Sequence, residues 1–379
     1  MRFATKGFSS LPLTLSLTLA GGIWPVGVAG GTIAAPARKS ADPPRFLALV
    51  DDTSSLGLRH GGGGASPSRV IVINLRAGRP WCGISLNGPS QVTRSPSGKN
   101  FLIAVSGQAA GRPAGRILEL SPLTRAVIRS VRDPVYVNNF YTSAPSWLFK
   151  SGPDGMLWLA DGITLRGVRW PSMKPAVKFQ ASRRIGAPIF FPVAGGLLIV
   201  DASAAAKLPA IAAVAHPRMF YLSEKSSQLH QCKVPHRLRG IPYWMAVRGR
   251  SLLGMEAFGN RFMRFTLSGA GNLEKVHEKE ISIGKNQNVL GFQLFGHHEG
   301  IVLGGSYGDR CWLYFLNTQT GRLIRKEKIP IRADLMYVWG RRIYLITSLC
   351  GGGEVDAAGK VVCLFRPPIC IVGGVEGAQ

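Results

Sequence analysis

Carboxylates are what this chain has least of. Its 379 residues hold 46 Lys and Arg against 20 Asp and Glu, a formal net charge of +26. So few acids leave little to protonate at low pH, which suits an acidic exterior, and the cation surplus suits an anionic partner surface. No C-x-x-C occurs, so zinc-ribbon and thioredoxin-like chemistry has no support. No C-x-x-C-H occurs, which excludes covalent c-type haem. Sustained helical periodicity is missing too. The one candidate helix, Ala204 to Ala215, is interrupted by Pro209. Gly (47) and Pro (25) favour turns over long helices. Disorder is excluded by 46% hydrophobic residues, enough for a large core.

The N-terminus reads as an export signal. Arg2 and Lys6 form its charged start and Leu11 to Ala20 its apolar core. Ala35-Pro36-Ala37 fits a cleavage site that would leave Arg38 first, and cleavage near Gly27-Val28-Ala29 is equally compatible. An uncleaved anchor is the alternative, since the apolar run continues through Ile23-Trp24 to about twenty residues. The first cysteine is Cys82, so a lipid-modified cysteine near this site is excluded. No later stretch is long and apolar enough to span a bilayer. The expected division is residues 1–37 as signal peptide and 38–379 as one domain. Its expected place is the periplasm or the exterior, as a monomer.

Repetition is the strongest signal. Six times a turn ending in Gly leads into an apolar run. Ser97-Gly98 precedes Phe101–Val105, Asp154-Gly155 precedes Met156–Ala160, and Gly195-Gly196 precedes Leu197–Val200. Arg248-Gly249 precedes Leu252–Met255, Glu299-Gly300 precedes Ile301–Leu303, and Trp339-Gly340 precedes Ile343–Ile346. A seventh run, Phe46–Val50, lacks the turn, as expected if the mature chain begins just before it. Apolar residues ahead of each turn, such as Trp244–Val247 and Leu335–Val338, make a partner strand, so each unit opens with a hairpin. Both strands are apolar on both faces and need cover on both.

A second, more polar hairpin follows. Arg69–Leu75 turns at Ala77-Gly78, and Arg116–Leu120 turns at Ser121-Pro122. Phe262–Leu267 turns at Ser268-Gly269, and Trp312–Leu316 turns at Asn317 to Gly321. Alternation with Arg, Glu or Thr marks outer strands wetted on part of their surface. The unit is therefore four antiparallel strands in roughly fifty residues, and seven units fill the mature chain. Four-stranded units repeated radially are β-propeller blades. The expected fold is all-β, a seven-bladed β-propeller. Six or eight blades stay open, because the last unit, Val361–Phe365 and Ile369–Val372, is hard to parse.

Ser95-Pro96-Ser97-Gly98-Lys99-Asn100, leading into Phe101–Val105, resembles the S-P-D-G-K signature of YVTN-type bacterial β-propellers. Asn74-Leu75-Arg76-Ala77-Gly78 and Asn317-Thr318-Gln319-Thr320-Gly321 are similar to that family's I-D-x-x-T-G element. Where the family has Asp, this chain has Ser97, and other blades lack the Ser-Pro. The resemblance implies the fold over most of the mature chain and leaves activity open. Relatives of this type include exported binding scaffolds, lactonases and the cofactor-free heavy subunit of amine dehydrogenases.

Candidate chemistry is sparse. Gly304-Gly305-Ser306-Tyr307-Gly308 matches G-x-S-x-G, but a nucleophile elbow needs a helix after Ser, and a strand follows here. His297-His298-Glu299 sits at a hairpin turn, with no companion His at metal-binding spacing. Gly61–Gly64 lacks the Lys-Ser/Thr of a phosphate loop. No catalytic residue, metal or cofactor is therefore expected. Arg322, Arg325, Lys326, Lys328 and Arg332, followed by Arg341-Arg342, form one cationic group. Arg237, Arg239, Arg248 and Arg250 form another. On outer strands these make a rim for an anionic surface, or simply solvated faces. Aromatics are not interleaved with them along the sequence, so single-strand stacking has poor support and sequence-specific nucleic acid is not expected.

One pattern is tied to the fold. Asp51-Asp52, Asp161, Asp201 and Glu256 directly follow the second strand of their blades. In a propeller these ends share the face opposite the Gly turns, together with the long loops from Asp51 to Ser68 and Asp201 to Pro217. They are the candidate ligand-binding residues, a negative mouth for a cation or cationic ligand. The alternative is that each caps its own loop. Cys350 and Cys363 flank the segment Gly351 to Lys360 between neighbouring strands and are the candidate disulfide. Cys82, Cys232 and Cys311 fall in different blades and are expected unpaired. Non-reducing mass mapping of exported protein should find Cys350 linked to Cys363, and finding both thiols free would remove the pairing. The functional expectation is an exported, non-enzymatic binding or scaffold protein with a protein partner or anionic surface. The alternative is a propeller-type enzyme or subunit, lactonase-like or like an amine-dehydrogenase heavy chain.

Overall fold

The computed structural model describes residues 45–51, 68–86, 90–105, 108–109, 112–113, 115–133, 149–151, 156–161, 164–180, 188–193, 196–201, 218–223, 229–234, 242–256, 260–269, 271–284, 288–305, 311–333, 335–347, 351–365 and 372–378. Among the described residues there is no helix, hence none long and apolar enough to cross a membrane. Seven four-stranded antiparallel sheets form the blades of a β-propeller.

Blade 1 takes β1 (Phe46–Asp51), β2 (Ser68–Asn74) and β3 (Arg79–Leu86). Blade 2 takes β4 (Ser90–Arg94) and β5 (Phe101–Val105), then β8 (Gly115–Ser121) and β9 (Ala126–Asp133) after a short hairpin of β6 (Gln108–Ala109) and β7 (Arg112–Pro113). Blade 3 holds β10 (Phe149–Ser151), β11 (Met156–Asp161), β12 (Thr164–Arg169) and β13 (Lys174–Gln180). Blade 4 holds β14 (Pro188–Val193), β15 (Gly196–Asp201), β16 (Arg218–Ser223) and β17 (Leu229–Gln231). Blade 5 holds β18 (Pro242–Arg248), β19 (Ser251–Glu256), β20 (Arg261–Leu267) and β21 (Leu273–Glu280). Blade 6 holds β22 (Asn288–Phe295), β23 (Glu299–Gly305), β24 (Cys311–Asn317) and β25 (Leu323–Ile329). Blade 7 holds β26 (Leu335–Trp339), β27 (Arg342–Thr347), β28 (Gly351–Val355) and β29 (Val361–Phe365).

The last strand, β30 (Val372–Ala378), returns to blade 1. It pairs antiparallel with β1, Phe46 opposite Ala378 and Leu49 opposite Val375, and becomes that blade's innermost strand. This corrects the reading of the final unit. Phe46–Val50 lacks a Gly turn because its inner neighbour comes from the far end of the chain. Val372–Ala378 carries three glycines and little β-propensity, and its order comes from the strand it pairs with. The inner strands then neighbour one another around the axis: β30 lies beside β4 and β26, β18 beside β14 and β22, and β22 beside β26.

Strand alternation explains why the second strands are apolar on both faces. On β1, Leu47 and Leu49 pack with Leu335 and Tyr344 of blade 7, while Phe46, Ala48 and Val50 pack with Phe101 and Ile103 of blade 2. On β23, Val302 joins the core shared with blade 5, and Ile301 and Leu303 join the core shared with blade 7. Each face of a blade is thus buried by its neighbour. The outer strands are wetted, as on β25, where Leu323, Ile324, Lys326 and Lys328 are exposed.

The first hairpins close through left-handed glycines, Gly98 (φ +76°), Gly249 (+59°), Gly296 (+67°) and Gly340 (+60°), a backbone region costly for other residues. In blade 6 the turn is therefore Gly296-His297-His298, and not Glu299-Gly300 as the repeat implies. Gly300 lies within β23, where a Cβ would run into the Phe292 ring and Thr318. The glycine serves close packing there. The second hairpins use an Asx turn. Asn74 Oδ1 accepts from the N–H groups of Arg76 and Ala77, and Asn317 Oδ1 from those of Gln319 and Thr320. Asp356 does the same for Ala358 and Lys360 in blade 7, a copy the sequence reading missed.

Candidate functional site

The described strand-end acids lie where the topology requires, all on the face opposite the Gly turns. β15 ends at Asp201, whose cross-strand partner is Arg218, the first residue of β16. Asp201 is buried, and its Oδ2 forms an ion pair with Arg218 Nη1 at 3.1 Å. β19 ends at Glu256 and β20 opens with Arg261. That guanidinium donates from Nη2 to Glu256 Oε1 at 2.7 Å and from Nε to Oε2 at 3.3 Å. Its Nη1 donates to Glu278 Oε2 at 3.0 Å. The Glu256 hydrogen bond raises the Arg261 pKa further, against the opposing effect of burial. Asp51 and Asp161 take the same strand-end position, opposite Arg69 and Thr164. Asp52 lies outside the described residues.

Asp201 and Glu256 therefore do not form a free negative mouth, because each is neutralised by the arginine that opens the next strand. A buried carboxylate is costly without such a partner. The signal was present in the sequence: Arg69, Arg218 and Arg261 stand at the first or second position of the third strand. Loops of very different length hide the pairing. A consequence is that Glu256→Gln should not be neutral for the fold. It leaves Arg261 with half its partners, and destabilisation of about 2 kcal/mol is expected in a denaturant titration. An unchanged midpoint would show that the pair is dispensable.

The other sequence candidates stay separate. His297 and His298 are exposed on the β22–β23 turn, and His298 Nδ1 lies 3.2 Å from Gln319 Nε2. Among the described residues no three His, Cys, Asp or Glu side chains gather as metal ligands. Ser306 lies outside the described residues, which resume with β24 at Cys311. Cys350 and Cys370 also lie outside them, while Cys363 stands opposite Glu354 in register.

Cys82 and Cys232 are free thiols, and the buried Cys311 Sγ donates to Ala333 O at 3.2 Å. Burial pushes the Cys232 thiol up to about 12. The native state thus holds a proton that the unfolded chain releases from about pH 9 upward. Stability should fall as pH rises from 9 towards 12, by up to ~1.4 kcal/mol per pH unit for this group. Tyr344 and Tyr314, both raised chiefly by burial, act in the same direction above pH 10. Urea midpoints measured across this range check the slope, and a flat profile would contradict it.

The two basic groups have different fates. Arg248 is partly buried, and burial lowers its pKa. Its Nη1 donates to Thr318 Oγ1 and its Nη2 to Gly296 O, clamping blade 5 to blade 6. Arg250 Nε donates to Leu267 O within blade 5. Arg237 and Arg239 lie outside the described residues. The β25 group does reach the outer wall, and aromatics are interleaved with it after all. Arg325 lies 3.7 Å from the Phe315 ring centroid, and the Lys326 ammonium 5.5 Å from that of Trp312. The rings belong to β24, the neighbouring strand, so reading along β25 misses them.

No protein-family model matches the chain, and no curated protein matches it. Solved structures do. A functionally unknown protein from Desulfotomaculum acetoxidans aligns at 12% identity over 88% of this chain and 99% of its own, with a TM-score of 0.58. A protein from Lactobacillus plantarum aligns at 9% identity over 89% and 100%, with a TM-score of 0.57. A candidate 6-phosphogluconolactonase from Bacteroides fragilis aligns at 10% identity over 90% and 100%, with a TM-score of 0.55. At these identities the likeness shows the β-propeller fold alone.

Proposed function

We propose that this chain is an exported, non-enzymatic β-propeller of YVTN type. It acts as a monomeric binding scaffold in the periplasm or outside the cell, with residues 1–37 as its removed signal peptide. The division of charge carries this reading. The buried carboxylates are held in ion pairs: Asp201 with Arg218, Glu256 with Arg261, Glu119 with Arg129, and Glu354 with Arg342. Exposed cations meanwhile collect on outer strands, among them Arg132 on β9, Lys178 on β13 and Lys326 and Lys328 on β25. A ring whose buried acids are paired and whose outer strands expose cations suits holding an anionic surface or partner better than moving protons. In this reading Asp51, Asp52, Asp161, Asp201 and Glu256 belong to the loop-bearing face, with Asp201 and Glu256 anchoring arginines.

Cross-linking in the native host, followed by purification, tests it. A component recovered in stoichiometric yield supports the scaffold, and a chain recovered alone speaks against it. A lactonase reading is favoured by one observation, the shared fold of a candidate 6-phosphogluconolactonase. Turnover of 6-phosphogluconolactone by the purified chain would replace the scaffold reading.

A further inference from the structure

Four antiparallel strands bring the first and second hairpin turns of a blade to the same face of the ring. The contacts agree. In blade 6, Thr318 N donates to His298 O, joining the second turn to the first. In blade 5, Arg250 of the first turn donates from Nε to Leu267 O, where the second turn begins. In blade 7, Arg342 donates to Glu354 in the same way. The chain also enters the fold on this face, since Leu75 N, at the second turn of blade 1, donates to Arg45 O just ahead of β1.

This turn face is rich in exposed cations. Arg76 of blade 1, Lys99 of blade 2, Arg169 of blade 3, Arg250 of blade 5, Arg322 of blade 6 and Arg341 of blade 7 lie in or beside its turns, all exposed. Acids are few there. Among the described residues on this side, Glu274 is the one fully exposed carboxylate. Glu354 is buried against Arg342, Asp356 caps its own turn, and Glu299 is half-buried. The large hydrophobics exposed among the described residues gather on the rim of the same face. Leu123 lies in the β8–β9 turn and Val127 and Ile128 follow it. Leu323 and Ile324 open β25 directly after its turn, and Val362 and Leu364 lie on the short β29.

We propose that the turn face seats the ring on an anionic lipid bilayer, an inference that rests on the scaffold reading and names its anionic surface. The cations draw this face to lipid headgroups, and the apolar side chains beside them enter the boundary between headgroups and acyl chains. A nucleic acid or an acidic polysaccharide would meet the charges and leave the hydrophobics in water. Rings at this face already carry guanidinium groups, Arg125 lying 3.6 Å from the Trp81 centroid and Arg341 5.5 Å from that of Phe295, so a base would have to displace them to stack. A protein interface gathers its apolar residues at the centre inside a polar rim. Here they sit on the outermost strands of blades 2, 6 and 7, spread round the perimeter, and a bilayer accepts them wherever they fall. The N-terminal segment points the same way. Its apolar run Leu11–Ala20, which the export reading delivers to a membrane, joins the ring through Arg45, and Arg38 and Lys39 come between. With the turns on lipid, the loop-bearing face stays open to a protein partner.

The test is sedimentation of the full mature chain with vesicles of equal parts phosphatidylglycerol and phosphatidylcholine, against vesicles of phosphatidylcholine alone. The turn variant R76Q/K99Q/R169Q/R322Q removes four exposed charges from this face. The matched variant R116Q/K178Q/K328Q/R332Q removes the same charge from exposed positions towards the opposite face. The apolar variant L123S/I128S/L323S/I324S keeps every charge. All three replace exposed side chains, and thermal melts confirm that each is folded. Binding to the anionic vesicles is expected to weaken with salt, to fall about tenfold or more in the turn variant and less than about twofold in the matched one, and to fall about fivefold in the apolar variant. Equal loss in the turn and matched variants, equal binding to both kinds of vesicle, an apolar variant that binds like the parent, or no binding by the parent would each overturn the proposal. Heparin or oligo-dT bound by a parent chain that ignores vesicles, and lost in the turn variant, would assign the face to a polyanion instead. A cross-linked protein partner retained by a chain that ignores vesicles would sink this inference while leaving the scaffold reading standing. Lactone turnover would sink the scaffold reading without touching the vesicle result.

Discussion

Truncation after Phe365 should abolish the cooperative unfolding of the whole propeller. The truncated chain lacks β30, and with it the inner partner of β1, from Phe46 opposite Ala378 to Asp51 opposite Val372. β1 would become a free edge although Phe46, Leu47, Ala48 and Leu49 are fully buried. An exposed apolar edge of this kind templates aggregation. About five backbone hydrogen bonds at about 1 kcal/mol each approach the lower end of a domain's total stability. The contacts of β30 with β4 and β26 go too, so blades 2 and 7 lose the strand between them. Thermal melts and size-exclusion chromatography should show a broad transition and soluble aggregates. A truncated chain that melts as sharply and at the same temperature as the parent would mean that β30 does not close the ring.

A second large effect is expected at Gln293, a buried residue of β22. Its Nε2 donates to Met336 O and its Oε1 accepts from Val338 N, both at 2.7 Å. The amide acts as an extra rung between the inner strands of blades 6 and 7. Gln293→Leu keeps the volume but strands a carbonyl and an N–H in the interior, at about 1–3 kcal/mol each. A combined loss of about 4 kcal/mol would lower the melting temperature by roughly 8 °C. Hydrogen exchange gives a local reading, since the Val338 amide should lose its protection more than the neighbouring amides. If Val338 exchanges as slowly in the variant as in the parent, the rung is not made by this side chain.

Much of the architecture was legible because its causes are local. A left-handed glycine marks a tight turn from its own φ, as at Gly98, Gly249 and Gly340. A strand buried on both faces reads as an unbroken apolar run, as at Phe101–Val105 and Leu197–Val200. A wetted outer strand alternates. These three signals, repeated, were enough for blades, their strand order and the faces on which turns and loops lie.

Legibility ends where partners are distant in the chain. Val372–Ala378 has no strand signal of its own and is ordered by β1, more than three hundred residues away. Asp201 and Arg218 are separated by a loop whose length says nothing of their register, so the acids were visible and their neutralisation was not. Lys326 is basic in any reading, but its place over the Trp312 ring follows from the pairing of β25 with β24. Period and turn geometry are properties of a few consecutive residues. Ring closure, charge pairing across loops and the contacts between blades join segments distant in the chain, and they emerge only when the chain is folded.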